Sequence, residues 1–216
     1  MEVARAEELF AQLADAVDFP PFDGSDRVLL SRTLAITSLH FAASVRHLCG
    51  AQMALGSAAV LRSQFEALLR GIWTLYCASD SQIGKLSSSL STESQQATKN
   101  IPQAAEMIAA IEKVPQLSNP LNSLREFKSS SWLPLNSFVH SGIHAVHWTK
   151  FEPPQALLDQ MFRSSNGLAV LAFQQLAILT GQTGLQGEVI AVCAAYSSCL
   201  PPPRESAFDQ SGHLQK

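Results

Sequence analysis

The sequence has few charged side chains and no excess of positive charge. Asp, Glu, Lys and Arg make up 15% of its 216 residues, and 15 basic residues against 18 acidic ones leave a net charge of −3. Typical domains have about 25% charged residues, and broad electrostatic binding to nucleic acid requires a basic surface. A thinly charged surface is typical of a chain partly covered by a partner or a second copy. It is equally typical of a chain whose surface polarity comes from Ser and Gln.

Targeting and membrane-spanning signals are also missing. The N-terminal "MEVARAEELF" is acidic and amphipathic and lacks the basic region and apolar core of a signal peptide. The most apolar run, "GLAVLAFQQLAILTG", is too short and too polar at Gln174 and Gln175 to span a bilayer. The four cysteines form neither a CxxC pair nor a zinc-type spacing. We therefore expect a cytoplasmic protein with reduced core thiols, no membrane association and no cofactor.

Strand signals are nearly absent, so helical spacing dominates. The pattern predicts an all-α fold, a bundle of four to five long helices in one domain over residues 1–200. Its helices are expected over about 2–17, 26–54, 57–79, 155–180 and 185–199. A polar, Ser-rich insertion over about 80–130 is expected to hold short helices near 102–113 and 120–129, with a further helix starting after Pro134. The proline-initiated segment 201–216 is predicted to be a disordered tail.

Three of the six histidines are concentrated in "LNSFVHSGIHAVHW". On one helix, His140, His144 and His147 fall within about 60° of one another, with Asn136 on the same side. Imidazole is a common metal ligand, so any metal site would use these three histidines. Three ligands from one helix give awkward geometry, however, and no carboxylate lies on this face. The sequence therefore does not predict a bound metal.

A second constellation of polar side chains lies in "LRSQFEALLRGIWTLY", where Arg62 and Glu66 border an apolar helix face. One interpretation is an ion pair between these two residues at the rim of the core. The other is a polar binding cleft, for which we expect the Arg62 helix to pack against the His140 helix. The cleft would be lined by Arg62, Glu66, Arg70, Trp73, Asn136, His140 and His144.

Motifs for nucleophilic or phosphate-binding enzymes are missing as well, since neither GxSxG nor a P-loop occurs. The segments "RSQFEALLRGIWTLY" and "NSFVHSGIHAV" do resemble a group of bacterial all-helical proteins of unknown function that is distantly related to the HEPN superfamily. The resemblance covers about residues 25–180. It implies a helical bundle, often dimeric, of the kind that acts in toxin–antitoxin or phage-defence systems. The active members of that superfamily are metal-independent ribonucleases with an Arg-x4-6-His signature.

This chain departs from that signature. Positions four to seven before His140 are occupied by Asn136, Leu135, Pro134 and Leu133. A ribonuclease of this kind would instead need Arg62 or Arg70 from another helix to stabilise the phosphate, with His140 or His144 as the acid or base.

We therefore predict a non-enzymatic binding or regulatory protein, implied by resemblance to be a bacterial defence or toxin–antitoxin component. The low charge and the apolar helix over 167–181 suggest more apolar surface than one bundle hides, which predicts a homodimer and leaves room for a protein partner. The first alternative is a metal-independent HEPN-like ribonuclease acting on RNA through Arg62, His140 and His144. The second is a metal-binding helical protein using His140, His144 and His147.

Overall fold

The computed structural model describes residues 1–97 and 100–202, and within these ranges it contains ten α-helices and no strand. The predicted all-α fold is confirmed. The helices are α1 (Val3–Ala16), α2 (Asp26–Gly50), α3 (Ala54–Tyr76), α4 (Asp80–Ser87), α5 (Thr92–Ala97), α6 (Ala104–Ile111), α7 (Ser118–Val139), α8 (Ile143–Lys150), α9 (Gln155–Leu179) and α10 (Leu185–Ala194).

Helix α3 is the central element, and it packs against α2, α9, α7 and α6. A short turn over residues 51–53 joins α2 to α3, so the two helices run antiparallel. Small residues make their close approach feasible, because Ser31, Ala35 and Ala42 are all fully buried on the face of α2. At Gly71 of α3, a Cβ atom would lie 3.3 Å from the Cβ of Leu34. The sequence of α2 therefore fixes the spacing to α3.

Helix α2 is also long and apolar enough to cross a membrane by length and composition alone. In the structure its buried line of small side chains packs against α3 and α9. A core helix passes the same length and composition test, so this property of α2 is weak evidence for a membrane span.

Buried polar side chains connect the three central helices. Gln64 of α3 donates from Nε2 to the Ser165 carbonyl of α9 at 2.8 Å, and the Ser165 hydroxyl donates back to Gln64 Oε1 at 2.6 Å. Gln175 of α9 donates to the hydroxyl of Ser31, which in turn donates to the Gly71 carbonyl. These bonds fix the relative register of α2, α3 and α9, since a shift would leave buried polar groups unpaired.

Helix α9 buries its apolar residues within the chain, against α2, α3 and α10. Leu168, Ala169, Ala172 and Phe173 are all almost fully buried. The apolar run over 167–181 is therefore used by the core of a single chain. The predicted homodimer stays a prediction.

Helix α7 differs from the sequence prediction. We expected a short helix over 120–129 and a new one after Pro134, but α7 runs without interruption over Ser118–Val139, with Pro134 inside it. Pro134 offers no N–H to the Ser130 carbonyl, yet the contacts of Leu124, Phe127 and Leu135 with the core hold the helix together. The short helices of the predicted insertion thus end with a 3-10 helix at Pro115–Leu117, before residue 130.

All four thiols are free, as predicted. Cys49, Cys193 and Cys199 are buried, and Cys77 is half-buried. The predicted disordered tail over 201–216 lies, from residue 203 onward, outside the described residues. Within them, the ring of Pro201 packs so closely on Gly167 of α9 that a Cβ atom there would lie 2.8 Å from Pro201 Cγ.

Candidate functional site

The three clustered histidines are not on one helix, so that prediction is wrong. Helix α7 ends at Val139, His140 caps it, and α8 begins at Ile143. At the junction, the Gly142 N–H donates to the Ser137 carbonyl at 2.6 Å and the Ser141 N–H donates to the Phe138 carbonyl at 3.3 Å. This pair of bonds is a Schellman motif, and it requires a left-handed residue after the cap. Ser141 takes that conformation, with φ of 54°.

Ser137 and Gly142 make this turn specific to the sequence "SFVHSGIH". The Ser137 hydroxyl accepts the backbone N–H of His144 at 3.0 Å and so caps the first turn of α8 from within α7. A Cβ atom at position 142 would lie 2.7 Å from Ser137 Oγ, a distance that only glycine avoids. The histidine spacing predicted a continuous helix because the alternative depends on a serine in a conformation that spacing does not reveal.

The turn separates the environments of the three histidines. His140 is exposed at the end of α7. His144 is half-buried, its ring lies 5.9 Å from that of Phe138, and its Nδ1 atom is buried without a hydrogen-bond partner. His147 is exposed and packs edge-on against Trp148. Across residues 1–97 and 100–202, no group of three His, Cys, Asp or Glu side chains is arranged to hold a metal. The metal-binding alternative therefore has no cluster of ligands among the described residues.

Arg62 and His140 meet at the surface between α3 and the end of α7. The Nη1 atom of Arg62 lies 3.5 Å from Nε2 of His140. Glu66 Oε1 accepts from Arg62 Nε at 3.2 Å and lies 3.1 Å from Nη2, so the intrahelical ion pair that the spacing predicted is present. The side chains of Arg62 and Glu66 are 19% and 35% exposed, which places the pair at the rim of the core.

The indole of Trp132 completes this group, which we call the α3–α7 cluster: Arg62, Glu66, Trp132 and His140. The Arg62 guanidinium carbon lies 4.9 Å from the centre of the Trp132 ring, within the range of a cation–π contact. Beneath it, Phe65 stacks on Phe127 at 4.8 Å and meets Trp132 edge-on at 5.8 Å. These rings hold the indole in place from the core side.

Sequence reasoning missed Trp132, although a signal for it exists. Trp132, Asn136 and His140 are spaced i, i+4, i+8 and so form one stripe along α7. Treating Pro134 as a helix start cut this stripe in two and hid the relation between Trp132 and His140.

Three further residues of the predicted cleft are buried in whole or in part. Trp73 is 2% exposed and belongs to the core. Arg70 is half-buried, and its Nε atom is buried without a hydrogen-bond partner. The Oδ1 atom of Asn136 is likewise buried and unpaired. Side-chain contacts join Arg62, Glu66 and His140 of the predicted cleft with the unpredicted Trp132.

The α3–α7 cluster presents a permanent cation, an imidazole and an indole at one point of the surface. Glu66 occupies the Nε and Nη2 side of the guanidinium. The Nη1 group points to His140 Nε2, which accepts only when the imidazole proton is on Nδ1. At 3.5 Å this bond is weak, so a ligand with a better acceptor can replace His140 as the partner of Nη1.

Exposed apolar side chains neighbour this cluster along the chain. Val139 and Ile143 flank His140 along the chain, and Leu133 follows Trp132. All three are exposed, as are Val146 in α8 and Phe151 after it. A patch of this kind, rimmed by polar groups, is typical of an interaction surface.

The fold and the site together define an all-α protein with an arginine–histidine cluster in an apolar surface at the junction of two helices. The chain belongs to the family of unknown function DUF6988, whose model matches residues 35–202. The matched range contains the whole α3–α7 cluster and α8. Neither the curated proteins nor the solved structures contain a significant match to the chain.

Proposed function

We propose that this protein is a non-enzymatic binding module with a regulatory role, whose partner binds at the junction of α7 and α8. The observation that carries the proposal is the position of Arg62, Trp132 and His140 among the exposed side chains of Val139 and Ile143. Arg and Trp are enriched among the residues that dominate binding energy at protein interfaces, especially where surrounding apolar groups exclude water.

The engagement of the polar groups favours binding over catalysis. Glu66 is tied to Arg62 by two contacts, and the hydroxyl of Ser137 is used to cap α8. A general acid or base has to reach the proton that it transfers, and a nucleophile needs an adjacent base. Groups that already hold the fold together are less suited to either role.

We infer a role in bacterial defence or in a toxin–antitoxin system from the resemblance of "RSQFEALLRGIWTLY" and "NSFVHSGIHAV" to proteins distantly related to the HEPN superfamily. The close approach of Arg62 in the first segment to His140 in the second supports that relation, since it joins the two segments in space.

Reconstitution with a purified partner tests the binding proposal. Tagged wild-type protein should retain a protein partner from its source cells, and the complex should re-form from purified components. Arg62→Ala and Ile143→Glu should each weaken it by about tenfold or more, because they remove central contacts. Ile190→Glu is the matched control, since Ile190 is exposed on α10. Equal weakening by the control, or none by either site variant, would contradict the proposal.

A metal-independent ribonuclease is the second candidate, and one observation favours it. The Arg-x4-6-His signature lacks its arginine in this sequence, but Arg62 of α3 lies next to His140 in space, with Nη1 at 3.5 Å from Nε2. In such a reaction the Glu66 carboxylate accepts the proton of a ribose 2′-hydroxyl, and the 2′-oxygen attacks the phosphorus. His140 protonates the leaving 5′-oxygen, and Arg62 stabilises the charge on the phosphorane. The products are a 2′,3′-cyclic phosphate and a 5′-hydroxyl.

Incubation with single-stranded RNA in the presence of a chelator separates the two candidates. We expect wild-type protein and His140→Ala to give the same background cleavage. Removing an electrostatic donor or an acid/base group typically costs about 10²–10³-fold in rate. Cleavage that falls by this factor in both Arg62→Ala and His140→Ala, with both variants folded, would replace the binding proposal by the ribonuclease.

A further inference from the structure

Helix α8 turns an apolar and basic stripe towards solvent. Ile143, Val146, His147 and Lys150 are spaced i, i+3, i+4, i+7 and are all exposed, with Ile143 at 78% and Val146 at 48%. The opposite side of the helix packs on the protein, where Ala145 is 8% exposed. Stripes with this spacing normally lie against a core. In α8 the inward side is occupied by other residues, so the stripe lacks a covering element among the described residues.

Exposed apolar side chains also precede and follow α8 in the sequence. Val139 precedes it at the end of α7, and Phe151 follows its last residue, at 58% exposure. The eight residues of α8 span about two helical turns, along which a second helix can pack.

The stripe itself carries one lysine and no carboxylate. Residues 127–151 contain Lys128, Lys150 and three histidines but neither Asp nor Glu. On the neighbouring helix α3, the carboxylate of Glu66 is paired with Arg62. Glu126 and Glu152 border the stretch on either side. A partner that places carboxylates beside Lys150 and His147 therefore meets complementary charge at Lys150 and a ring N–H donor at His147, whereas a basic partner meets repulsion at Lys150.

We propose that the outward face of α8 docks an amphipathic helix of a partner protein, with aliphatic side chains on Ile143 and Val146 and carboxylates beside His147 and Lys150. The proposal rests on the proposed binding function and adds the chemistry of the partner. Aliphatic contacts favour a protein over RNA, because single-stranded RNA requires stacking platforms and a track of basic residues. The outward face of α8 carries one lysine, Lys150.

Two synthetic helical peptides of equal length test the proposal with the full chain. Both carry Leu at i, i+3, i+4 and i+7; one has Glu and the other Lys at the flanking positions. Fluorescence anisotropy should show the Glu peptide binding about tenfold or more tightly than the Lys peptide, a difference that shrinks as salt screens the charges. Ile143→Glu and Lys150→Glu should each weaken binding of the Glu peptide about tenfold. Ile190→Glu on α10 should leave it unchanged.

Equal binding of both peptides, or no binding of the Glu peptide, would overturn the inference. So would binding of a single-stranded RNA that is abolished by Ile143→Glu. A chain that is dimeric in light scattering and becomes monomeric with Ile143→Glu would also overturn it, since a second copy would then be the occupant. Unchanged circular dichroism shows that the variants fold. If the reconstituted complex depends on Arg62 while the peptides do not bind, the binding function stands and the acidic helix is wrong.

Discussion

Arg62 makes three contacts that differ in strength. Its ion pair with Glu66 is partly exposed, and such pairs contribute about 0–1 kcal/mol. The cation–π contact with Trp132 adds about 0.5–1 kcal/mol at a site of this exposure. The contact with His140, at 3.5 Å, is the weakest. Breaking a fully buried ion pair would cost about 3–5 kcal/mol. Because the Arg62–Glu66 pair lies at the rim of the core, its loss should lower the free energy of unfolding by less than that.

Arg62→Ala is expected to lower the free energy of unfolding by about 1–2 kcal/mol, the sum of a rim ion pair and a cation–π contact. Urea unfolding followed by circular dichroism measures it. Glu66→Gln, which keeps an acceptor for the guanidinium, should cost less than half as much. A loss of 4 kcal/mol or more, on the order of a buried pair, would show that the guanidinium is far less hydrated than its exposure indicates.

At the scale of elements, the turn between α7 and α8 decides what the site contains. It places His140 beside Arg62 and turns Ile143 and Val146 outward. Its geometry depends on two adjacent residues with different requirements. Ser141 carries a side chain in a left-handed conformation, and Gly142 lies too close to Ser137 to carry one.

The two positions of this turn are expected to respond in opposite directions. Ser141→Gly should stabilise the protein by about 0.5–1 kcal/mol, because glycine adopts positive φ without steric cost. Gly142→Ala should destabilise it by about 1–3 kcal/mol, since the new methyl group overpacks against Ser137 Oγ. Thermal unfolding of both variants measures the changes.

A double-mutant cycle identifies the cause at position 142. If the clash with the hydroxyl is responsible, Gly142→Ala should cost less in a Ser137→Ala background than in the wild type. Equal costs in the two backgrounds would assign the effect to the backbone instead.

At the scale of the whole molecule, the buried thiols are expected to make the free energy of unfolding decrease at alkaline pH. Burial raises the pKa of Cys193 from 9.0 to about 11 and raises the pKa of Cys49, Cys77 and Cys199 in the same direction. The folded protein therefore keeps its thiols protonated at a pH where the unfolded chain ionises them. This contribution to stability is complete below pH 9 and is lost as the pH rises through about 11.

We expect the urea concentration at the unfolding midpoint, measured under reducing conditions, to decrease as the pH rises from 8.5 to 10.5. This window includes the ordinary pKa of a thiol and approaches the raised pKa of Cys193. Cys193→Ala should flatten this fall, whatever its effect at neutral pH, because a shift of one pKa unit corresponds to about 1.4 kcal/mol. Cys77→Ala is the comparison, since Cys77 is only half-buried. An identical slope in Cys193→Ala and the wild type would show that this thiol does not contribute.

The sequence by itself determined the helical class, the four free thiols and the ion pair of Arg62 with Glu66. These features depend on local spacing: a periodicity of 3.6 residues, a missing CxxC and an i, i+4 pair on one helix. Local spacing also placed Arg62 and Glu66 at the edge of an apolar face, where the structure has them at the rim of the core.

The tertiary structure alone decided how the site is assembled. Helical spacing put His140, His144 and His147 on one face, but the Schellman turn at Ser141 moves His140 away from the others and towards Arg62. Core contacts kept α7 helical through Pro134 and so brought Trp132 under the guanidinium. Both outcomes depend on energies between distant residues, which outweigh the local preferences that a sequence pattern records.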